Sequence, residues 1–123
     1  MAVTYAGYVL SGVIAAGIIA VGVRFLLAPA RAAAGFGVPA DQTGDHAYLA
    51  VKGIRDTASG IFTIILLVNQ HPHVLGAFLL AAAFIPVGDM TVVLRHHGPK
   101  TTAFDIHGVT AAVMLATAAL LLS

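Results

Sequence analysis

The sequence predicts an all-α integral membrane protein, a four-helix bundle with one longer loop and two short turns. Two observations carry this reading. Hydrophobic residues make up 59% of the 123 positions and charged residues only 9%, against about 25% charged in an ordinary soluble domain. Four apolar stretches also reach the ~20 residues that a helix needs to cross a hydrocarbon core. The whole chain reads as one transmembrane domain.

The first span is predicted over about 5–27, with no charge before Arg24. Two rows of small residues run along it at four-residue spacing, Gly12-Ala16-Ala20 and Gly7-Ser11-Ala15. Such rows let membrane helices approach closely. Ala28-Pro29-Ala30 resembles a signal cleavage site, but the apolar run before it exceeds the ~7–15 residues of a signal core, and no basic region precedes it. It reads as a retained span. Pro29 is expected to open a short interfacial helix through Ala34, stopped by Gly35.

Gly35-Phe36-Gly37-Val38-Pro39 then reads as a turn, and Ala40 to Asp45 as a solvated loop with a cap for the next helix. The second span is expected over about 47–69 and the third over about 74–94. Pro86 should kink the third. After the loop Arg95 to Lys100, Thr102 with Asp105 three residues on fits a capping box, and the fourth span covers about 103–122.

All six basic residues fall on one side of this arrangement. Arg24, Arg31, Lys52 and Arg55 border the first loop, and Arg95 and Lys100 lie in the third. The positive-inside rule makes that face cytoplasmic and puts both termini outside, in a multi-pass protein of the cell membrane.

Charge and residue inventories exclude several function classes. There is no cysteine, and the formal net charge is +1. Thiolate chemistry is therefore ruled out, and nothing suggests a nucleic-acid surface. His71-Pro72-His73 and His96-His97 have no carboxylate or third histidine at ligand spacing, so no metal site is expected. Haem would need a second axial histidine at the depth of His107. No cofactor is expected, and the lipid bilayer is the expected partner, with a homo-oligomer left open.

The informative residues are polar ones drawn into apolar surroundings. The stretch from Thr57 to Val68 is too short to cross, so the second span must include Lys52, Arg55 and Asp56. Each charge costs ~2.5–3.5 kcal/mol at a helix centre and less near the ends. Lys52 can snorkel to the interface, and it can pair with Asp56 four residues on. Arg55 points about 100° away from Asp56 and needs a partner on another helix; Asp89 and His107 are the candidates.

Antiparallel spans bring Arg55, Asp56, Asp89 and His107 to one side. Ser59, Thr63 and Thr110 continue the polar faces, and Thr117 follows. The expectation is a polar cavity in the cytoplasmic half. Asp89 would be a general base and His107 an acid or its partner. Arg55 would anchor developing negative charge and Asp56 would orient Arg55 or His107, with Lys52, Ser59, Thr63 and Thr110 contacting the substrate. A structural alternative stands beside this: Arg55–Asp89 as a register-fixing salt bridge, hydroxyls bonded to their own backbone, and His107 as a core hydrogen-bonding residue.

Gly35-Phe36-Gly37-Val38-Pro39, Lys52-Gly53-Ile54-Arg55-Asp56 with Gly60, Pro86-Val87-Gly88-Asp89 and His107-Gly108 together resemble the small four-span membrane proteins grouped as domain of unknown function 4267. The resemblance covers nearly the whole chain and rests on the order and spacing of the motifs. It implies the four-span fold and points to the same positions. It implies no settled activity.

Two function classes follow. One is a small membrane enzyme performing acid–base chemistry on a lipophilic substrate, such as an isomerisation, cyclisation or hydration. The other is a non-enzymatic ligand-binding, accessory or proton-conducting protein. A blind pocket favours an enzyme or binding protein, whereas a polar row reaching Asn69 and Gln70 favours conduction.

Overall fold

A computed structural model describes residues 2–40 and 46–123, and the described residues form helices and connecting turns only. The cap expected from Ala40 to Asp45 lies, apart from Ala40, outside the described residues. In chain order the helices are α1 (Ala2–Leu27), α2 (Pro29–Phe36), α3 (Ala47–Val68), α4 (Pro72–Ala82) and α5 (Phe84–Arg95). A π-helical segment, Thr102–Gly108, then runs into α6 (Val109–Leu122).

Three helices are long and apolar enough to cross a membrane: Ala2–Leu27, Pro72–Arg95 taken as one, and the continuous Thr102–Leu122. Large apolar side chains such as Leu27, Val13 and Phe84 point outward. These features suit a membrane protein. The remaining long helix, α3, carries Lys52, Arg55 and Asp56.

Local chemistry sets the boundaries. Pro29 occupies the first turn of α2, where its missing N–H costs nothing. Gly37, not Gly35, ends that helix, because Gly37 adopts the left-handed conformation at φ 109°. The Gly37 N–H donates to the Ala34 carbonyl and the Val38 N–H to the Ala33 carbonyl, each at 3.2 Å. This pair of bonds is a Schellman stop. Gly35 stays within the helix.

Pro72 likewise opens α4. The expected kink at Pro86 takes the form of a break at Ala83. Pro86 has no N–H for the carbonyl of Ala82, four residues back, so the ladder is interrupted one turn before the proline. The capping box expected at Thr102 and Asp105 does not form: no side-chain cap bond is made there, and the Ala103 N–H donates to the Pro99 carbonyl at 3.0 Å. The helix has already begun at Lys100, behind Pro99, so Thr102 is not its cap.

Packing follows the small residues. Of the two rows on α1, Gly7, Ser11 and Ala15 are buried, whereas Ala16 and Ala20 are exposed. The buried row continues to Gly22 and meets Gly53 and Gly60 of α3. Elsewhere Ile14, Leu75, Leu79, Met114 and Leu121 form the main core, joining α1, α4 and α6. A smaller cluster of Phe25, Ala32 and Ala33, with Phe36 and Leu49 against it, seats α2 on the bundle. Leu121 packs over Gly7 and Gly76 at one end. The α2 stop packs near Val93 and Thr102 at the other.

Candidate functional site

The site lies at the end of the bundle that carries the basic residues. Lys52 and Asp56 sit one turn apart on α3, and Lys52 Nζ donates to Asp56 Oδ2 at 2.9 Å. The same ammonium is 3.8 Å from Asp89 Oδ2 on α5. It also lies over two rings, 5.0 Å from the centroid of Phe25 and 4.9 Å from that of Phe36. Both distances fall within the ~6 Å range of cation–π attraction. Two carboxylates and two aromatic faces thus hold one lysine. The Lys52 side chain is 25% exposed and that of Asp56 12%, so the Lys52 ammonium turns inward.

His107 closes the other wall. It lies in the π-helical segment, where the backbone repeat widens from i→i+4 to i→i+5; such turns recur at functional sites. Its Nε2–H donates to the Phe36 carbonyl at 2.8 Å, since a carbonyl can only accept. The Phe36 carbonyl is among the last of α2, which helix geometry leaves without an intrahelical partner. The rings of Phe36 and His107 are 4.4 Å apart between centroids, and Phe25 meets Phe36 edge-on at 6.2 Å.

These groups line a cavity of about 500 Å³. Lys52, Asp56, Ser59 and Thr63 of α3, Asp89 of α5, and His107 and Thr110 all face it, with Asp105 also on its wall. The rest of its wall is apolar, including Ile14, Ile18, Phe78 and Met114. Val21, Ile106 and Val109 line it while remaining exposed on the outer surface of the bundle, which places them at its rim.

Seven of the eight expected site residues therefore come together; Arg55 does not. It is exposed, absent from the cavity wall, and makes no ion pair among the described residues. The reason is helical phase. Gly53 and Gly60 face α1, and Arg55 is about 160° around the helix from Gly53. The cavity face lies between, and Lys52 and Asp56 occupy it. Hence the expected Arg55–Asp89 pair is replaced by Lys52–Asp89.

The hydroxyl groups behave as the structural alternative anticipated. Ser59 donates to the Arg55 carbonyl, Thr63 to that of Ser59 and Thr110 to that of Ile106, at 2.9, 2.9 and 2.6 Å. Only their lone pairs remain for a ligand. Thr117 donates to the Val113 carbonyl at 2.7 Å and lies outside the cavity wall. Phe25 and Phe36 were not foreseen in the site; the turn-like Gly35-Phe36-Gly37 hid an aromatic contact that only tertiary packing reveals. Among the described residues, no three His, Asp or Glu side chains lie at metal-ligating spacing.

Fold and site together define a small all-helical protein of membrane type with a charged pocket between its helices. The chain belongs to the family described as a domain of unknown function (DUF4267), which matches residues 15–121. No curated protein and no solved structure matches it.

Proposed function

We propose that the chain is a four-span membrane protein whose cavity takes up a lipophilic small molecule and catalyses proton transfer on it. At 1.5 Å per residue the 22 residues of α3 extend about 33 Å, enough for a hydrocarbon core of ~30 Å. In this reading α3 is the fourth span. Lys52, Arg55 and Asp56 are the sixth, ninth and tenth of its residues, in the half toward the basic loops. Arg55 extends its long side chain toward the headgroups, while Lys52 and Asp56 turn into the cavity. The basic loops are cytoplasmic, and the bilayer is the partner.

The observation that carries the reading is that Asp89, His107 and the Lys52–Asp56 pair share one cavity whose remaining wall is apolar. An apolar wall holds a lipophilic body, and a few convergent polar groups fix its orientation. Asp89 serves as the base. His107, with Nε2–H committed to Phe36, exchanges a proton through Nδ1. Lys52 stabilises developing negative charge in the role first given to Arg55, and Asp56 holds its ammonium in place. Isomerisation, cyclisation and hydration all fit, because they need only acid and base.

The polar wall gives out at Thr63, and Asn69 and Gln70 are exposed and outside the cavity. This favours a blind pocket over a conducting path. Binding without chemistry is the second reading, supported by the same apolar wall.

Asp89→Asn and His107→Gln test the proposal in the native host. Each should insert and melt close to the parent, while the product profile of the lipid extract shows activity reduced by about 10²–10⁴-fold. Thr91→Ser, which lies outside the cavity wall, serves as control. Full activity in both well-folded variants removes the enzyme reading.

A further inference from the structure

We infer that the ligand of this cavity is an apolar compound with a hydrogen-bond-donating head, a hydroxyl or an amine, and that Asp89 receives that head. This rests on the reading of the cavity as a site for a lipophilic molecule. Three features of the cavity carry the further step.

The first is an unused acceptor. Asp89 accepts no hydrogen bond from any described residue, and its nearest cation, Lys52 Nζ, is 3.8 Å away, beyond hydrogen-bond length. Asp56, by contrast, is directly bonded to Lys52 at 2.9 Å. Asp89 is therefore the carboxylate left to recognise something else. Its side chain is 25% exposed and faces the cavity.

The second is the balance of charge. One ammonium stands against two carboxylates, and Asp105 adds a third carboxylate on the wall. Arg55 is turned away, and the Nε2–H of His107 is already given to Phe36. The hydroxyl protons of Ser59, Thr63 and Thr110 are likewise committed to their own helix. Acceptors exceed free donors around the pocket. A carboxylate or phosphate head would find like charge and few donors, and such juxtapositions select against a ligand. A hydroxyl or ammonium supplies the missing donor.

The third is the size and polarity of the rest. A cavity of about 500 Å³ lies within the ~300–1,000 Å³ of small-molecule sites. Ile14, Ile18, Phe78 and Met114 offer an aliphatic or aromatic body nothing polar to pair with. Beyond the lone pairs of Ser59, Thr63 and Thr110, the charged acceptors for a polar head gather at the end near Asp89.

Photolabelling separates the possibilities. Three diazirine-bearing probes of equal chain length, an alcohol, an amine and a carboxylate, are added to the full chain in zwitterionic lipid nanodiscs. Mass spectrometry then scores labelling at Ile18, Phe78 and Met114. The alcohol and the amine should each label these positions at least about tenfold more than the carboxylate, the scale of one hydrogen bond to a charged group. Asp89→Leu should abolish the preference. Asp89→Asn should weaken the amine but retain the alcohol, since the amide oxygen still accepts; this variant serves if Asp89→Leu does not fold. A carboxylate labelling as strongly as the other two, or a preference that survives both substitutions, overturns the inference and leaves the ligand site standing. Labelling confined to the outer surface for all three probes brings down the ligand site itself and the inference with it.

Discussion

Gly22 of α1 and Gly53 of α3 meet backbone to backbone. A Cβ on Gly53 would lie 2.7 Å from the Gly22 carbonyl oxygen, and one on Gly22 would lie 2.6 Å from the backbone nitrogen of Thr57. Neither obstacle is a flexible side chain that can step aside. The contact therefore fixes how close α1 and α3 approach, and with it the direction in which Lys52 and Asp56 point.

The first prediction follows from that contact. Gly22→Ala and Gly53→Ala should each destabilise the protein by at least the ~1–3 kcal/mol of ordinary overpacking, because backbone must separate. Gly88→Ala, where a Cβ meets nothing within 4 Å, should be neutral or slightly stabilising through helix propensity. Thermal unfolding in detergent, followed by circular dichroism, checks all three. Equal melting of the three variants would refute the close approach.

A second prediction concerns charge. Lys52→Met leaves the buried Asp56 without its partner and should be destabilising, toward the lower end of the ~3–5 kcal/mol seen when a fully buried pair is broken, since this lysine is partly exposed. The double change Lys52→Met with Asp56→Leu should recover much of the loss. Arg55→Ala should change stability little, in contrast to what its place in the sequence suggests. A double-mutant cycle read from the same melts decides it: strictly additive losses would show that the pair is not coupled.

How far the site was legible in the sequence is clear from these residues. The apolar runs locate the helices, and the antiparallel order brings Asp89 and His107 to the level of Asp56. Four-residue spacing also ties Lys52 to Asp56. What spacing leaves open is rotational phase. Arg55 and Lys52 are equally plausible cavity cations until Gly53 and Gly60 are known to face α1, which is a property of the helix pair and not of one helix. The bond from His107 to the Phe36 carbonyl leaves no mark in residue periodicity, since its partners lie 71 residues apart, whereas the early start of the last helix behind Pro99 is a local effect of a proline at a helix start.

The third prediction tests the stop of α2. Gly37 holds φ at 109°, and a Cβ there would lie 3.0 Å from Val93 and 3.1 Å from Thr102. Gly37→Ala should cost about 1–2 kcal/mol for the left-handed backbone alone, with crowding added. Because Phe36 is the adjacent residue, the substitution should also perturb the His107 ring, visible as a shifted imidazole resonance in NMR. A melt and a resonance both unchanged would contradict the assigned backbone.

Topology supplies the fourth prediction. The chain has no cysteine, so single cysteines at Pro39, Asn69 and His96 can be labelled with an impermeant reagent in sealed vesicles of known orientation. Pro39→Cys and His96→Cys should react from the cytoplasmic face and Asn69→Cys from the opposite one. Reaction of Pro39→Cys and Asn69→Cys from the same face would exclude α3 as a span.

The bond between Lys52 and Asp56 has one more consequence, for the order in which the molecule is made. Both partners belong to a single helix, so their charges offset each other as soon as that helix forms on the growing chain. Asp89 and His107 emerge from the ribosome well after them. The two cavity-facing charges of the most highly charged helix thus offset each other through synthesis, with only Arg55 left to the outer surface, and the later segments complete a site that is already half assembled.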